Sequence, residues 1–531
     1  MSPLSYDLPY PSVRAPVFGH SAVATSHPLA SMAGIEMLSA GGNAVDAAVA
    51  AAMTLTVVEP TGCGIGSDAF AILWDGERLH GLDASGRAPA AWTPERFRRH
   101  DAMPERGWSS VTVPGAVSAW VALVERFGRL SLETVAAPAI RHARKGFFVT
   151  PIIAELWRRG AATLAGQPGF AECFMPNGRA PAAGEIYRSE AHATSLELIA
   201  ASRGEAFYEG ALASLIAAAA QRGGSALSEE DLAAHRAEWV EPLVQPFAGA
   251  RVHELPPAGQ GVATLMGLGV LEALGASGDG PDDPTEMHLA IEATKLALAD
   301  LGHHVGDPAT MRVTPQDLLE PAYLARRAAL IDPARAGDPG HGGPGRGGTV
   351  CLSAADDSGM MISFIQSNYM GFGSGVVVPG TGISLQNRGA GFSLVEGHPN
   401  QVGSRKRPFH TIIPGFATDR QGAPLMAFGL MGGPMQAQGH LQMALRILRH
   451  GQNPQAAADA PRWRLLGGRR LAVEPGMAPQ LISALSQRGH EIVVEPPDAT
   501  FAFGGAQIVL RTGDGYVAGS DPRKDGQAIG L

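Results

Sequence analysis

Apolar and polar positions change period several times along the chain. From 28 to 60, "PLASMAGIEMLSAGGNAVDAAVAAAMTLTVVEP", small and apolar residues run too densely and too long for a strand. They predict two Ala-rich helices broken at Gly41-Gly42, with Asn43 placed to cap the second. "GCGIGSDAFAILWDGERLHGLDASGRAP" alternates instead and predicts a hairpin with Asp75-Gly76 as a two-residue turn. Residues 113–240 return to a mainly helical pattern, which includes "SLELIAASR" and "ALASLIAAAAQR". "EMHLAIEATKLALADLGHHVGDP" (286–308) predicts another long helix, stopped by glycine and proline.

A Gly/Pro-rich stretch from Asp332 to Gly348 separates this half from a strand-rich one. "TVCLSAA", "MMISFIQS", "HTIIPGFAT" and "APLMAFGL" read as strands, and "PMQAQGHLQMALRILRHG" as a helix with Pro434 in its first turn. "RRLAVEP", "HEIVVEP" and "GAQIVLR" close the chain as strands, and no internal repeat is found. Helices first and sheet later predict an α+β fold in which helices cover antiparallel sheets.

With 45% hydrophobic and 17% charged residues over 531, the chain can bury a large core. A net charge of -9 with no long basic run argues against nucleic acid and against an anionic membrane surface as partners. The first residues lack a basic stretch followed by an apolar one, and no apolar run reaches about 18 residues. A cytoplasmic location is therefore expected. Cys63, Cys173 and Cys351 are odd in number and widely spaced, so they predict buried free thiols rather than a disulfide framework or a zinc site. His303-His304 ends a helix, where dipole contacts explain it, and Asp46 and Asp300 read as structural. No metal and no cofactor are expected.

The stretch that carries chemistry is "GHGGPGRGGTVCLSAADDSGMMISFIQSN" (340–368). A floppy glycine string meets what reads as a core strand. With Ala355 opposite Met360, the hairpin register sets Thr349 beside Gln366 and Ser367. One reading is a linker followed by an edge strand. The other is a self-cleaving junction: the Thr349 hydroxyl attacks the Gly348 carbonyl, the acyl group shifts from N to O, and water cuts the ester. Gly347-Gly348 permits the geometry this needs, and the freed α-amine, of pKa about 8, then serves as base for its own hydroxyl. Downstream, Gly432-Gly433 before a helix offers unobstructed amides suited to an oxyanion. "FGSGVVVPGTGISLQNRGAGF" (372–392) is glycine-rich, as where backbone approaches a ligand.

These stretches, with "GGNAVDAAVAAAMTLTVVEP", "LPPAGQG", "LAIEATKLALAD", "KRP" and "MGGP", closely resemble the gamma-glutamyltransferase family of N-terminal-nucleophile hydrolases. The resemblance implies a four-layer αββα sandwich, cleaved into a large subunit (1–348) and a small one (349–531) that stay together as one αββα domain. The two would form a heterodimer, with a dimer of such heterodimers left open. It implies Thr349 as nucleophile, Ser367 as the hydroxyl supporting it, Gly432 and Gly433 as oxyanion donors, and Gly348-Thr349 as the cleavage site.

Several positions depart from the family's transpeptidases. Their carboxylate-holding Arg falls on Ser85, with Arg87 two residues on. Their ammonium-binding Asp falls on Gly391, an Asn on Tyr369, a Gln on Arg388 and a serine pair on His410-Thr411, and the loop from Phe392 to Lys406 is shortened. Losing the negative partner of a buried ammonium disfavours a gamma-glutamyl donor by several kcal/mol as an order of magnitude, about the cost of an unpaired buried charge. Arg388 favours a small carboxylate-bearing amide. Such pockets resemble those of oxamate amidohydrolases and cephalosporin acylases. The sequence thus predicts a self-processing threonine amidohydrolase acting on an oxamate-like amide. A gamma-glutamyl hydrolase or transferase with altered recognition, and an unprocessed binding protein of the same fold, are the alternatives.

Overall fold

In the computed structural model, residues 9–275, 278–339 and 348–531 are described, with the side chains of 349, 498 and 500 outside that description. The glycine string 340–347 lies outside it too. Two seven-stranded sheets carry the fold. In chain order they begin with β1 (Val17–Gly19), β2 (Ala22–Thr25), β3 (Asp68–Trp74), β4 (Leu79–Asp83), β5 (Glu238–Val240), β6 (Leu243–Phe247) and β7 (Ala250–Glu254). The second half adds β8 (Gly348–Ala355), β9 (Met361–Tyr369), β10 (Gly415–Asp419), β11 (Pro424–Met431), β12 (Gly505–Arg511), β13 (Tyr516–Ser520) and β14 (Gln527–Gly530). One sheet runs β14-β2-β8-β9-β3-β4-β5 and the other β1-β13-β12-β11-β10-β7-β6, every pair antiparallel.

The sheets face each other, and helices cover both outer sides, so the central strands of the inner layers are wet on neither face. All nine residues of β9 are buried. Its side chains still alternate: Ile362 and Phe364 point to the helical layer, Met361 and Ile365 to the facing sheet. In β3, Phe70 and Ile72 face between the sheets while Ala69, Ala71 and Leu73 face the helices. Over the first sheet lie α1 (Pro28–Ser39) and α2 (Ala44–Val58). Every residue of α2 is buried, which is why it is built largely from alanine. Asn43 caps it in a capping box with Asp46, and Asp46 also accepts from the Arg129 amide at 3.0 Å. On the second sheet lie α3 (Gly261–Leu274) and α5 (Met435–Ala444), with α4 (Pro284–His304) packed on α3. This is the αββα sandwich that the sequence implied. Helix α3 had no counterpart in the sequence reading: its apolar residues surround the axis and show no stripe.

Four local expectations are corrected. Ala355 pairs with Met361, not Met360, because the turn holds Asp356–Met360, closed by the Asp356 amide on the Met360 carbonyl at 3.1 Å. A register shift between Gly348 and Val350, which pair with Tyr369 and Gln366, leaves Ser367 and Asn368 opposite position 349. The 68–83 hairpin turns over residues 75–78, since Trp74 pairs with Leu79 and Asp75 Oδ1 accepts from the Glu77 and Arg78 amides. Residues 410–414 are not strand, and β10 starts only at Gly415, after Pro414, which has no N–H to give a ladder. Pro434 occupies the N-cap of α5 rather than its first turn.

Candidate active site

The contacts between the two sheets locate the end of the sandwich at which β8 begins. Ser363 Oγ donates to the Phe428 carbonyl at 2.8 Å, and a Cβ added to Gly429 would lie 2.2 Å from Cys351 Sγ. Ser363 pairs with Ser353, so one step up β11 matches about two steps down β8. Gly432 and Gly433 follow directly on the end of β11. Both glycines have positive φ, 125° and 61°, which a side chain would resist. Gln260, from the "LPPAGQG" motif, holds this turn: its Nε2 donates to the Gly433 carbonyl at 2.9 Å and also to the Thr411 carbonyl. The braced carbonyl belongs to the Gly433–Pro434 peptide, so Gln260 pins the chain on the far side of the Cα that follows the Gly433 amide.

At the same end, Ser367 on β9 pairs with Asp68 on β3, so the two lie side by side on one face. Ser367 Oγ accepts from the Tyr369 amide at 2.8 Å. Asp68 is fully buried: Oδ1 accepts from the Gly86 and Gly115 amides at 3.0 and 3.1 Å, and Oδ2 lies 3.2 Å from His410 Nε2. Burial pushes its carboxyl up to about 7 against the opposing pull of Arg388. Burial likewise holds His410 well below its ordinary value, with Arg388 and Arg407 adding to it, so the imidazole is neutral. Its ring stands edge-on to Phe70 at 4.6 Å, and its Nδ1 has no partner among the described residues.

Arg388 is the other centre of the site. It is fully buried, its guanidinium lies 4.1 Å over the Tyr369 ring, and Nη1 donates to Thr411 Oγ1 at 2.9 Å. Its Nε and Nη2 find no acceptor among the described residues. Burial lowers it to about 10, which leaves it a cation at neutral pH. Tyr369 is itself held at φ 78°, an unusual conformation for an aromatic residue, which sets its ring beneath the guanidinium.

Ser367, Tyr369, Arg388, His410 and Thr411 are thus brought together, with Gly433 linked to them through Gln260. Ser85 and Arg87 are not. Ser85 is buried and donates to Asp83 Oδ1 at 2.7 Å. Arg87 turns to the surface, where it pairs with Glu238 at 3.0 Å. At Gly391 a Cβ would come within 2.7 Å of the Phe409 carbonyl. Asp68 and Gln260 escaped the sequence reading, although Gln260 sits in one of the motifs singled out there. As for metals, His288, Glu292 and His490 cluster in the interior, but Lys295 Nζ already sits 2.8 Å from Glu292 Oε1 and takes the place of a cation.

Comparison with known proteins agrees with this architecture. The gamma-glutamyltranspeptidase family model matches residues 30–531. The chain is 36% identical over 520 residues to the glutathione hydrolase-like YwrD proenzyme of Bacillus subtilis, covering 96% of this chain and 98% of that one. It is 36% identical over 526 residues to the oxamate amidohydrolase proenzyme of Klebsiella pneumoniae, covering 96% and 98%. A cephalosporin acylase crystal structure from Bacillus halodurans superposes with a TM-score of 0.94 at 45% identity, covering 100% of this chain and 99% of that one. With matches that run nearly end to end and two facing antiparallel sheets between helical layers, the chain belongs to the gamma-glutamyltranspeptidase family, as a self-processing N-terminal-nucleophile amidohydrolase.

Proposed function

We propose that the chain cuts itself between Gly348 and Thr349 and then hydrolyses the amide of a small carboxylate-bearing acid, of which oxamate is the model. The observation that carries this reading is Arg388, fully buried with Nε and Nη2 unclaimed among the described residues. A buried donor without an acceptor costs about 1–3 kcal/mol, more when charged, and a carboxylate offered to both nitrogens recovers it. Asp68, the buried carboxylate beside it, has both oxygens engaged and is no ready partner for a substrate ammonium. That disfavours gamma-glutamyl donors, even though one relative is named glutathione hydrolase-like.

In this reading the Thr349 α-amine, freed by the cut, takes the proton of its own hydroxyl. The hydroxyl oxygen attacks the amide carbonyl, Gly432 and Gly433 amides receive the oxyanion, the α-ammonium gives its proton to the departing nitrogen, and ammonia leaves. Water then releases the acid from Thr349, with Ser367 supporting the nucleophile throughout.

The test is kcat/KM for oxamate and for a gamma-glutamyl amide, in the parent and in Arg388→Lys, alongside N-terminal sequencing of the small piece. The parent should favour oxamate, and Arg388→Lys should lose about tenfold or more on it, because the charge stays while the planar fork goes. The small piece should begin Thr-Val-Cys-Leu. A parent that prefers the gamma-glutamyl amide, with neither rate changed by Arg388→Lys, would overturn the substrate reading.

A further inference from the structure

We infer that Asp68 and His410 form a proton-storing positioning pair, which takes up one proton whenever an acid seats on Arg388. The inference rests on the reading of Arg388 as a carboxylate receptor. Without ligand, the buried guanidinium has one carboxylate near it, that of Asp68. A bound acid adds a second negative charge to the same dry space. Two carboxylates sharing one cation out of water favour protonation of one of them. Asp68 is the group able to accept it. Its Oδ1 is held by two backbone amides, so Oδ2, which meets His410 Nε2, is the oxygen placed to take the proton.

The route follows from the ring's two nitrogens. With Asp68 ionised, neutral His410 carries its hydrogen on Nε2 and donates it to Oδ2, leaving a lone pair on Nδ1, which has no partner among the described residues. An incoming proton binds Nδ1, and the Nε2 proton passes to Oδ2. The bonds balance: one N–H forms, one N–H breaks and one O–H forms. His410 ends neutral with the opposite tautomer, and Asp68 ends as a carboxylic acid. The other charged or titratable groups felt by the pair are Asp83 on β4, Tyr208 and Arg407, besides Arg388 with its partner Tyr369. Asp83 favours protonation of Asp68. Arg388 and Arg407 disfavour a second proton on His410, which directs the stored proton to the carboxylate. An Asp68 carboxyl near 7 in the empty pocket leaves it mostly ionised at pH 8 and ready to be protonated.

The experiment is titration calorimetry of the processed protein with oxalate and with glutarate, in HEPES and in Tris at pH 8, and in MES and in Bis-Tris at pH 6. The dependence of the heat on buffer counts protons taken up. For the parent, uptake should approach about one proton at pH 8 and fall well below that at pH 6, and Kd should weaken up to about tenfold per pH unit above about 7. Asp68→Asn should bind with no buffer-dependent heat at either pH, and Arg388→Lys should bind more weakly in both. If an acid binds and Arg388→Lys weakens it, yet the parent takes up no proton at pH 8, the pair's role is overturned while the receptor stands. If neither acid binds, or Arg388→Lys binds as the parent does, both fall. Should Asp68→Asn not fold, the uptake of the parent at the two pH values decides alone.

Discussion

A guanidinium buried away from water needs a reason to stay there, and the Tyr369 ring supplies part of it. A cation over an aromatic face is worth up to about 2 kcal/mol when both are desolvated, and here the separation is 4.1 Å. The stack also fixes the plane of the fork, which sets the approach of any carboxylate. Tyr369→Leu should therefore raise KM for oxamate by about tenfold with kcat changed less, while Tyr369→Phe, which keeps the face, should stay within about twofold. Steady-state kinetics on the two variants checks this, and a Phe variant as poor as Leu would move the role from the ring to the hydroxyl. Arg388 was legible in the sequence because it falls inside a long motif, and Tyr369 because it stands one residue past another. Asp68 was not: in "GSDAF" it is one acid at the head of an alternating strand, and its partners His410 and Gly115 lie far along the chain. Its parity with Phe70 and Ile72, which face between the sheets, was the available signal.

Among the elements, those with local determinants were readable and those set by distant partners were not. The α1–α2 break at Gly41-Gly42 and the Asn43 cap follow from neighbours within three residues. The β8–β9 register slipped by one because the turn closes at Met360 through its own backbone, with Asp356 Oδ1 also accepting from the Ser358 amide at 2.9 Å. The Gly432-Gly433 turn is the clearest case of remote support. Gln260 reaches across 151 and 173 positions to the Thr411 and Gly433 carbonyls. Gln260→Ala should free the Gly433–Pro434 peptide to rotate, which loosens the adjoining peptide that carries the Gly433 N–H, and leave two buried carbonyls without this donor. The expected result is a fall in kcat of about ten- to a hundredfold, less than the hundred- to thousandfold of losing an oxyanion donor outright, with KM for oxamate raised less. Replacing Gly433 by proline would not isolate the same effect, since φ 61° excludes the ring. A Gln260→Ala protein that folds, matures and turns over at the parental rate would detach the brace from catalysis.

Across the whole molecule, the facing sheets explain why self-cleavage need not release anything. A cut before Thr349 leaves β2 of the first piece between β14 and β8 of the second, and β3–β5 of the first beyond β9 of the second. In the other sheet, β1 and β6–β7 of the first piece flank β10–β13 of the second. Neither piece retains a whole sheet, and parting them would expose ladders on both, with every N–H and C=O along those edges left to water. The cleaved protein should therefore elute natively as one particle containing both pieces, which separate only in denaturant. The cut does change the unfolded state, because two chains dissociate where one would stay joined. The melting temperature of the cleaved form should rise with protein concentration, while that of Thr349→Ala, expected to remain one chain, should not. Each should melt in a single cooperative transition at a given concentration. Calorimetric scans over a hundredfold range of concentration test both statements together. Two separate transitions, or pieces that part on a native column, would mean that each half folds by itself, against the interleaving of the strands.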